Sequence, residues 1–124
     1  MLEPSILKNI RKMMQMPEDY TDFDMELTIH INSAFSTLHQ LGVGPETAFS
    51  IQDEGAVWTD FTENTKTIES VKTYVYIAVR ILFDPPTNSA VLTAFQDQKK
   101  ELEFRLNVAG DPAPALPLTP TINP

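Results

Sequence analysis

The chain contains no cysteine and only two histidines among its 124 residues. Without cysteine there is no disulfide framework, no thiolate zinc site and no thiol nucleophile; the compartment is left undecided. His30 and His39 sit nine positions apart, which on one helix is about 900° of rotation and places them on opposite sides. They cannot share a metal as an i,i+4 pair can. With four glycines in the whole chain, there is neither a phosphate-cradling glycine loop nor a nucleophile elbow. No apolar run approaches the roughly 20 residues that a membrane-crossing helix needs. The N-terminal residues Ile6, Leu7, Ile10, Met13 and Met14 are interleaved with Lys8, Arg11 and Lys12. That is the pattern of an amphipathic helix, not of a secretion signal. The expectation is a soluble protein made in the cytoplasm, with no cofactor, no metal and no membrane partner.

Basic residues are missing from one long stretch. Residues 18–63 hold ten Asp or Glu and no Lys or Arg, whereas residues 64–124 balance six acids with six bases. The net charge of −8 is therefore concentrated in one region. A surface of this kind repels phosphate backbones, so tight nucleic-acid binding is not expected. It is either a solvated acidic face or a surface that nucleic acid passes without sticking.

What the chain does have is helical periodicity and an apolar content of 42%, enough for a real core. A first helix is predicted over residues 4–15, with Pro4 in the first turn and Pro17 beyond the end. Its basic face, Lys8, Arg11 and Lys12, is expected to meet an acidic neighbour. A second helix is predicted from Thr21 as N-cap, with Asp22, Asp24 and Glu26 at the positive end of its dipole. Leu27, Ile31, Ala34, Phe35, Leu38 and Leu41 form its buried face and Gly42 its stop. Residues 43–63 break at Gly44-Pro45, alternate around Phe49 and Ile51, and turn at Asp53-Glu54-Gly55. They read as a small β-hairpin or an ordered loop; the turn lacks the oxygen-ligand spacing of a calcium loop.

The third predicted helix, residues 65–83 with Asn64 or Thr65 as cap, is the most informative. Ile68, Val71, Val75, Ala78 and Leu82 mark one face, while Tyr74, Ile77 and Ile81 form a second apolar strip. A helix apolar on nearly every side needs cover on nearly every side. That strip is expected to pack against other helices of the chain or against a neighbouring subunit. Pro85-Pro86 forces a corner, and a fourth helix follows over residues 87–107 with Val91, Leu92, Phe95, Leu102 and Leu106 inward. Glu101 and Arg105 form a favourable i,i+4 pair. The fold expected is mainly α: a compact bundle of about four helices over residues 1–108, with the hairpin or loop inserted between helices two and three. Residues 109–124 form a separate proline-rich, extended tail.

Five of the ten prolines fall in that tail. In an extended chain, N–H groups of odd and even residues point to opposite edges, and Pro112, Pro114, Pro120 and Pro124 all blunt the even edge. The odd edge loses only Pro117, so it could add to another protein's sheet, with Leu116, Leu118 and Ile122 on one face as anchors.

Four blocks carry a resemblance: Leu41-Gly-Val-Gly-Pro45, Val71-Lys-Thr-Tyr-Val-Tyr76, Arg80-Ile-Leu-Phe-Asp-Pro-Pro86 and Lys100-Glu-Leu-Glu-Phe-Arg-Leu-Asn107. In order and spacing they resemble the head–tail connector (adaptor) proteins of long-tailed, siphovirus-type bacteriophages, over about residues 1–108. The resemblance implies a small helical virion protein at the head–tail junction, in a ring commonly of twelve copies beneath the portal. Such a ring would extend the channel through which DNA leaves, without specific binding, and seat the next neck, stopper or tail protein. It implies no catalytic residues. By position, portal binding would fall on Leu116, Leu118 and Ile122, and subunit packing is expected at Tyr74, Ile77 and Ile81. The competing readings are a cytoplasmic acidic helical regulator or nucleic-acid mimic, and a small metal hydrolase, which the histidine geometry disfavours.

Overall fold

The computed structural model of the chain describes residues 5–17 and 19–110. The described residues form five helices, α1 (Ile6–Met13), α2 (Asp24–Gln40), α3 (Trp58–Phe61), α4 (Thr65–Phe83) and α5 (Ser89–Gly110). The mainly helical, compact arrangement expected from the apolar periodicity is present. Four of the helices match the predicted ones; α3 is a single turn inside the inserted segment.

The ends of α1 and α2 follow local hydrogen bonding. Ser5 caps α1, its hydroxyl accepting from the Lys8 N–H at 3.2 Å; the predicted first-turn proline, Pro4, lies outside the described residues. Gln15 ends α1 in the left-handed region at φ 66°. It donates to the Lys12 carbonyl at 2.9 Å while Met16 donates to the Arg11 carbonyl at 2.8 Å, the paired closure usually completed by glycine. α2 begins two residues later than predicted. Thr21 does not cap it; its carbonyl closes a turn with the Asp24 N–H at 3.2 Å, and Phe23 occupies the cap position without a side-chain bond. Phe23 packs its ring on Phe83, 5.2 Å away. At the other end Gly42, φ 82°, stops α2 as expected. Gly42 and Val43 donate to the His39 and Leu38 carbonyls at 3.0 and 2.9 Å.

Between α2 and α4 the loop form is present, with no hairpin among the described residues. Its order comes from side chains. The Asn32 amide accepts from the Ile51 N–H at 2.7 Å and donates to the Ile51 carbonyl at 2.9 Å. It thus satisfies both backbone groups of a buried residue that a partner strand would otherwise satisfy. Phe49 stands edge-on to Phe35 and Phe61, with centroids 4.9 and 5.4 Å away. Gly44 has φ 96°, and a Cβ there would lie 2.4 Å from the Phe61 ring, so the chain passes flat over that ring. The segment returns to α1: Ile6 donates to the Ala56 carbonyl at 2.9 Å, and buried Trp58 donates through Nε1 to Asn9 Oδ1 at 3.0 Å.

α4 is the central rod, packed between α2 and α5. Asn64 caps it, accepting from the Lys66 N–H at 2.9 Å. Asp84, at φ −146° and ψ 70°, leaves helical geometry before Pro85-Pro86 as predicted. Asn88 then caps α5, accepting from the Ala90 and Val91 N–H groups at 2.8 and 3.1 Å. The predicted inner face of α5 is only partly inner. Leu102 and Leu106 are buried and Leu92 and Phe95 half-buried, but Val91 is 43% exposed. In the first half of α5, Phe95 meets Tyr76 and Arg80 of α4. Apart from residues 109 and 110, which continue α5, the predicted tail lies outside the described residues.

Candidate interaction surfaces

The sequence placed Arg11 on the basic face of the first helix, expected to meet an acidic neighbour; the structure buries it completely. Its Nε and Nη2 donate to the two carboxylate oxygens of Asp24 at 2.9 and 2.7 Å, and Nη2 also donates to Glu54. Lys8 stands at 4.0 Å from Glu54. A guanidinium removed from water is costly unless its fork is matched by carboxylates, and here two are supplied by different segments. The clamp therefore joins α1, the start of α2 and the turn at residues 53–55. The Asp24 hydrogen bond is the largest influence on Arg11 and holds its pKa above the ordinary value, against the opposing effect of burial. Spacing carried a signal for this: Leu7, Arg11 and Met14 share one helical stripe, so Arg11 lies among apolar positions. Residues 18–63, all acid and no base, supply the partners.

A second polar cluster joins α4 to α5. The Tyr74 hydroxyl donates to Glu103 Oε2 at 2.8 Å, and Lys99 donates to the same oxygen at 2.9 Å. The Lys99 ammonium also lies 5.4 Å from the Tyr74 ring centroid, within cation–π range. Burial, then the Glu103 carboxylate, push the Tyr74 phenol well above its ordinary pKa. For Glu103, burial acts upward, but the Lys99 and Tyr74 hydrogen bonds outweigh it and leave the carboxyl below its ordinary value. A tyrosine held protonated is a poor base or nucleophile, so this cluster ties helices together. On the surface of α5, the expected Glu101–Arg105 pair forms at 2.7 Å.

The two histidines remain apart. His30 is half-buried with its ring 6.4 Å from that of Phe83, and His39 is exposed at the end of α2. No group of three or more metal-ligating side chains occurs among the described residues, and no helix there is long and apolar enough to cross a membrane.

The second apolar strip of α4 divides. Tyr74 and Ile77 are 0% and 2% exposed in the single chain. α2 and α5 cover both sides of the rod at their level, so the single chain already buries these two side chains. Ile81 is only half-buried. With Ala78, Leu82, Gln96, Lys99, Lys100 and Glu103 it lines a groove of about 540 Å³ between α4 and α5, in which Leu82 remains 58% exposed. A second groove of about 690 Å³ lies beside α2, bordered by Leu7, Met25, Ile29, Asp24, Asp53 and Glu54. Met25 and Ile29 stand out from it at 75% and 60% exposure. Near the end of α5, Phe104 and Val108 are 69% and 55% exposed. Leu116, Leu118 and Ile122 lie outside the described residues.

The chain thus carries large apolar side chains outward on three helices, beside charged rims. A sequence model of the family described as phage connector protein matches residues 6–113. Neither curated proteins nor solved structures yield a significant match. The chain belongs to the phage connector protein family.

Proposed function

We propose that this connector is a non-enzymatic virion protein that stands at the head–tail junction as one copy of a ring, between the portal and the next neck, stopper or tail protein. The family match across the helical body is the observation that carries this reading. The surface agrees with it. Apolar side chains exposed on α2, α4 and α5 suit a protein that makes several contacts at once. The acid-rich region 18–63 suits the wall of a channel through which DNA must slide without adhering. A phage lacking this protein should fill heads with DNA but leave them tailless, and adding the purified protein should restore attachment. Heads that join tails normally without it would reject the junction role.

The tail supplies the portal contact in this reading, with Leu116, Leu118 and Ile122 as anchors and the odd edge of residues 112–124 as the pairing edge. Deleting residues 112–124 should leave helicity and thermal stability of the body unchanged and abolish retention on portal-bearing heads. Equal retention of the full-length and shortened chains would refute the assignment. A nucleic-acid mimic would use the same acidic region. It predicts tight, salt-sensitive binding to a basic DNA-binding protein in place of particle association.

A further inference from the structure

Two grooves on this chain differ in a way that makes them fit each other. Beside α2, Met25 and Ile29 project from a rim where Asp24, Asp53 and Glu54 stand against the buried Arg11 guanidinium and, at 4.0 Å from Glu54, the Lys8 ammonium. Between α4 and α5 the floor is Ala78, Ile81 and Leu82, and the rim carries Lys99 and Lys100 against Glu103 alone. Lys99 is occupied by Glu103 at 2.9 Å. Lys100 makes no salt bridge among the described residues, and neither does exposed Asp53. The first site is a pair of protruding apolar side chains with an acidic border; the second is an apolar trough with a basic border.

We propose that these are the two halves of one contact between copies of this chain: Met25 and Ile29 of one copy seat on Ile81 and Leu82 of the next, with Lys100 facing Asp53. This rests on the proposed ring and assigns the surfaces that would build it. Charge complementarity and the presence of both halves on one polypeptide select a second copy as the occupant. The halves share no residue and are built from different helices, so one copy can give and receive at once. Such a heterologous contact propagates into a closed ring or an open filament, not into a closed dimer. Apolar burial would hold the contact, and the charge borders would fix its register.

Because the chain has no cysteine, introduced thiols report on chosen positions without background. The full-length Ile29→Cys/Leu82→Cys double variant is oxidised alone at high concentration, and again after incubation with DNA-filled heads that lack the connector. The expected result is a ladder of cross-linked species extending past the dimer on a non-reducing gel. Neither single variant, nor the mismatched Phe104→Cys/Leu82→Cys pair, should give more than traces. In a parallel equilibrium measurement, Asp53→Lys weakens self-association roughly three- to tenfold and Lys100→Glu in the same chain restores it. Oligomers that assemble while the double variant yields no ladder would overturn this interface and leave the connector reading standing. Dimers from a single-cysteine variant would also overturn it, in favour of an isologous contact. A chain that stays monomeric both alone and on heads would overturn the interface and the ring together.

Discussion

Replacing Arg11 with alanine should destabilise the fold by about 2–3 kcal/mol. Removing one member of a buried ion pair costs about 3–5 kcal/mol when the remaining charge is sealed from water. Here the Arg11 side chain is fully buried, but Asp24 and Glu54 keep 29% and 39% of their side-chain surface exposed. Water can therefore reach the orphaned carboxylates, which moves the cost to the bottom of that range or just below it. Part of the loss is packing, because the aliphatic stem of Arg11 shares a stripe with Leu7 and Met14. Arg11→Met keeps much of that stem and should lose only about 1–2 kcal/mol. The single tryptophan, Trp58, is buried and bonded to Asn9 of α1, so its fluorescence reports the docking of α1 directly. Urea titrations with linear extrapolation give the free-energy change, and an unchanged slope shows that the same surface is exposed on unfolding. A double-mutant cycle of Arg11→Met with Asp24→Asn should return a coupling of about 1 kcal/mol or more. An Arg11→Ala protein within about 0.5 kcal/mol of the parent, or a cycle with no coupling, would show that the clamp does not hold α1 to the body.

Three other positions yield predictions of known sign. Gln15→Gly should stabilise by about 0.5–1 kcal/mol, since glycine adopts the left-handed end of α1 without a Cβ penalty; a loss in thermal melts would contradict the assigned closure. Gly44→Ala should cost about 2 kcal/mol or more, because alanine adds both a strained φ and a Cβ against the Phe61 ring, and wild-type stability would show that the loop lies elsewhere. Glu103→Gln should matter only when Glu103 is ionised in the native state. Its native pKa is depressed, so its contribution is complete above the unfolded value, about 4.3, and fades as pH falls through the native one. Parent and variant should therefore differ near neutrality and converge in acid; a gap that persists in acid would mean the residue acts by packing alone.

How far the molecule could be read from its residues depended on where each backbone and each charge found its partner. α2, α4 and α5 were legible because their signals are local: a 3.6-residue stripe, an Asn64 cap, a Gly42 stop, a Pro85-Pro86 corner. The segment between α2 and α4 was only half legible, since its order depends on Asn32, nineteen positions before Ile51, and on the Phe35, Phe49 and Phe61 rings. Composition reveals that such a loop will turn, not which helix side chain will serve as its missing strand. Arg11 was misplaced for a related reason. A charge beside apolar positions suggests a helix border until its partners are known, and Asp24 and Glu54 lie thirteen and forty-three positions away. The excess apolar character of α4 is met in part within the chain itself. Around Tyr74 and Ile77 the chain wraps its own rod on two sides; at the last turn Phe83 meets Phe23 and His30, while Ile81 and Leu82 face the groove beside α5. A lone outward leucine is ordinary, but Leu82 is 58% exposed and borders an apolar groove with Ala78 and half-buried Ile81, and it is that patch that invites a partner. In the proposed ring, the contact would fall at the last turn of α4, where exposed Leu82 stands beside Lys99 and Lys100.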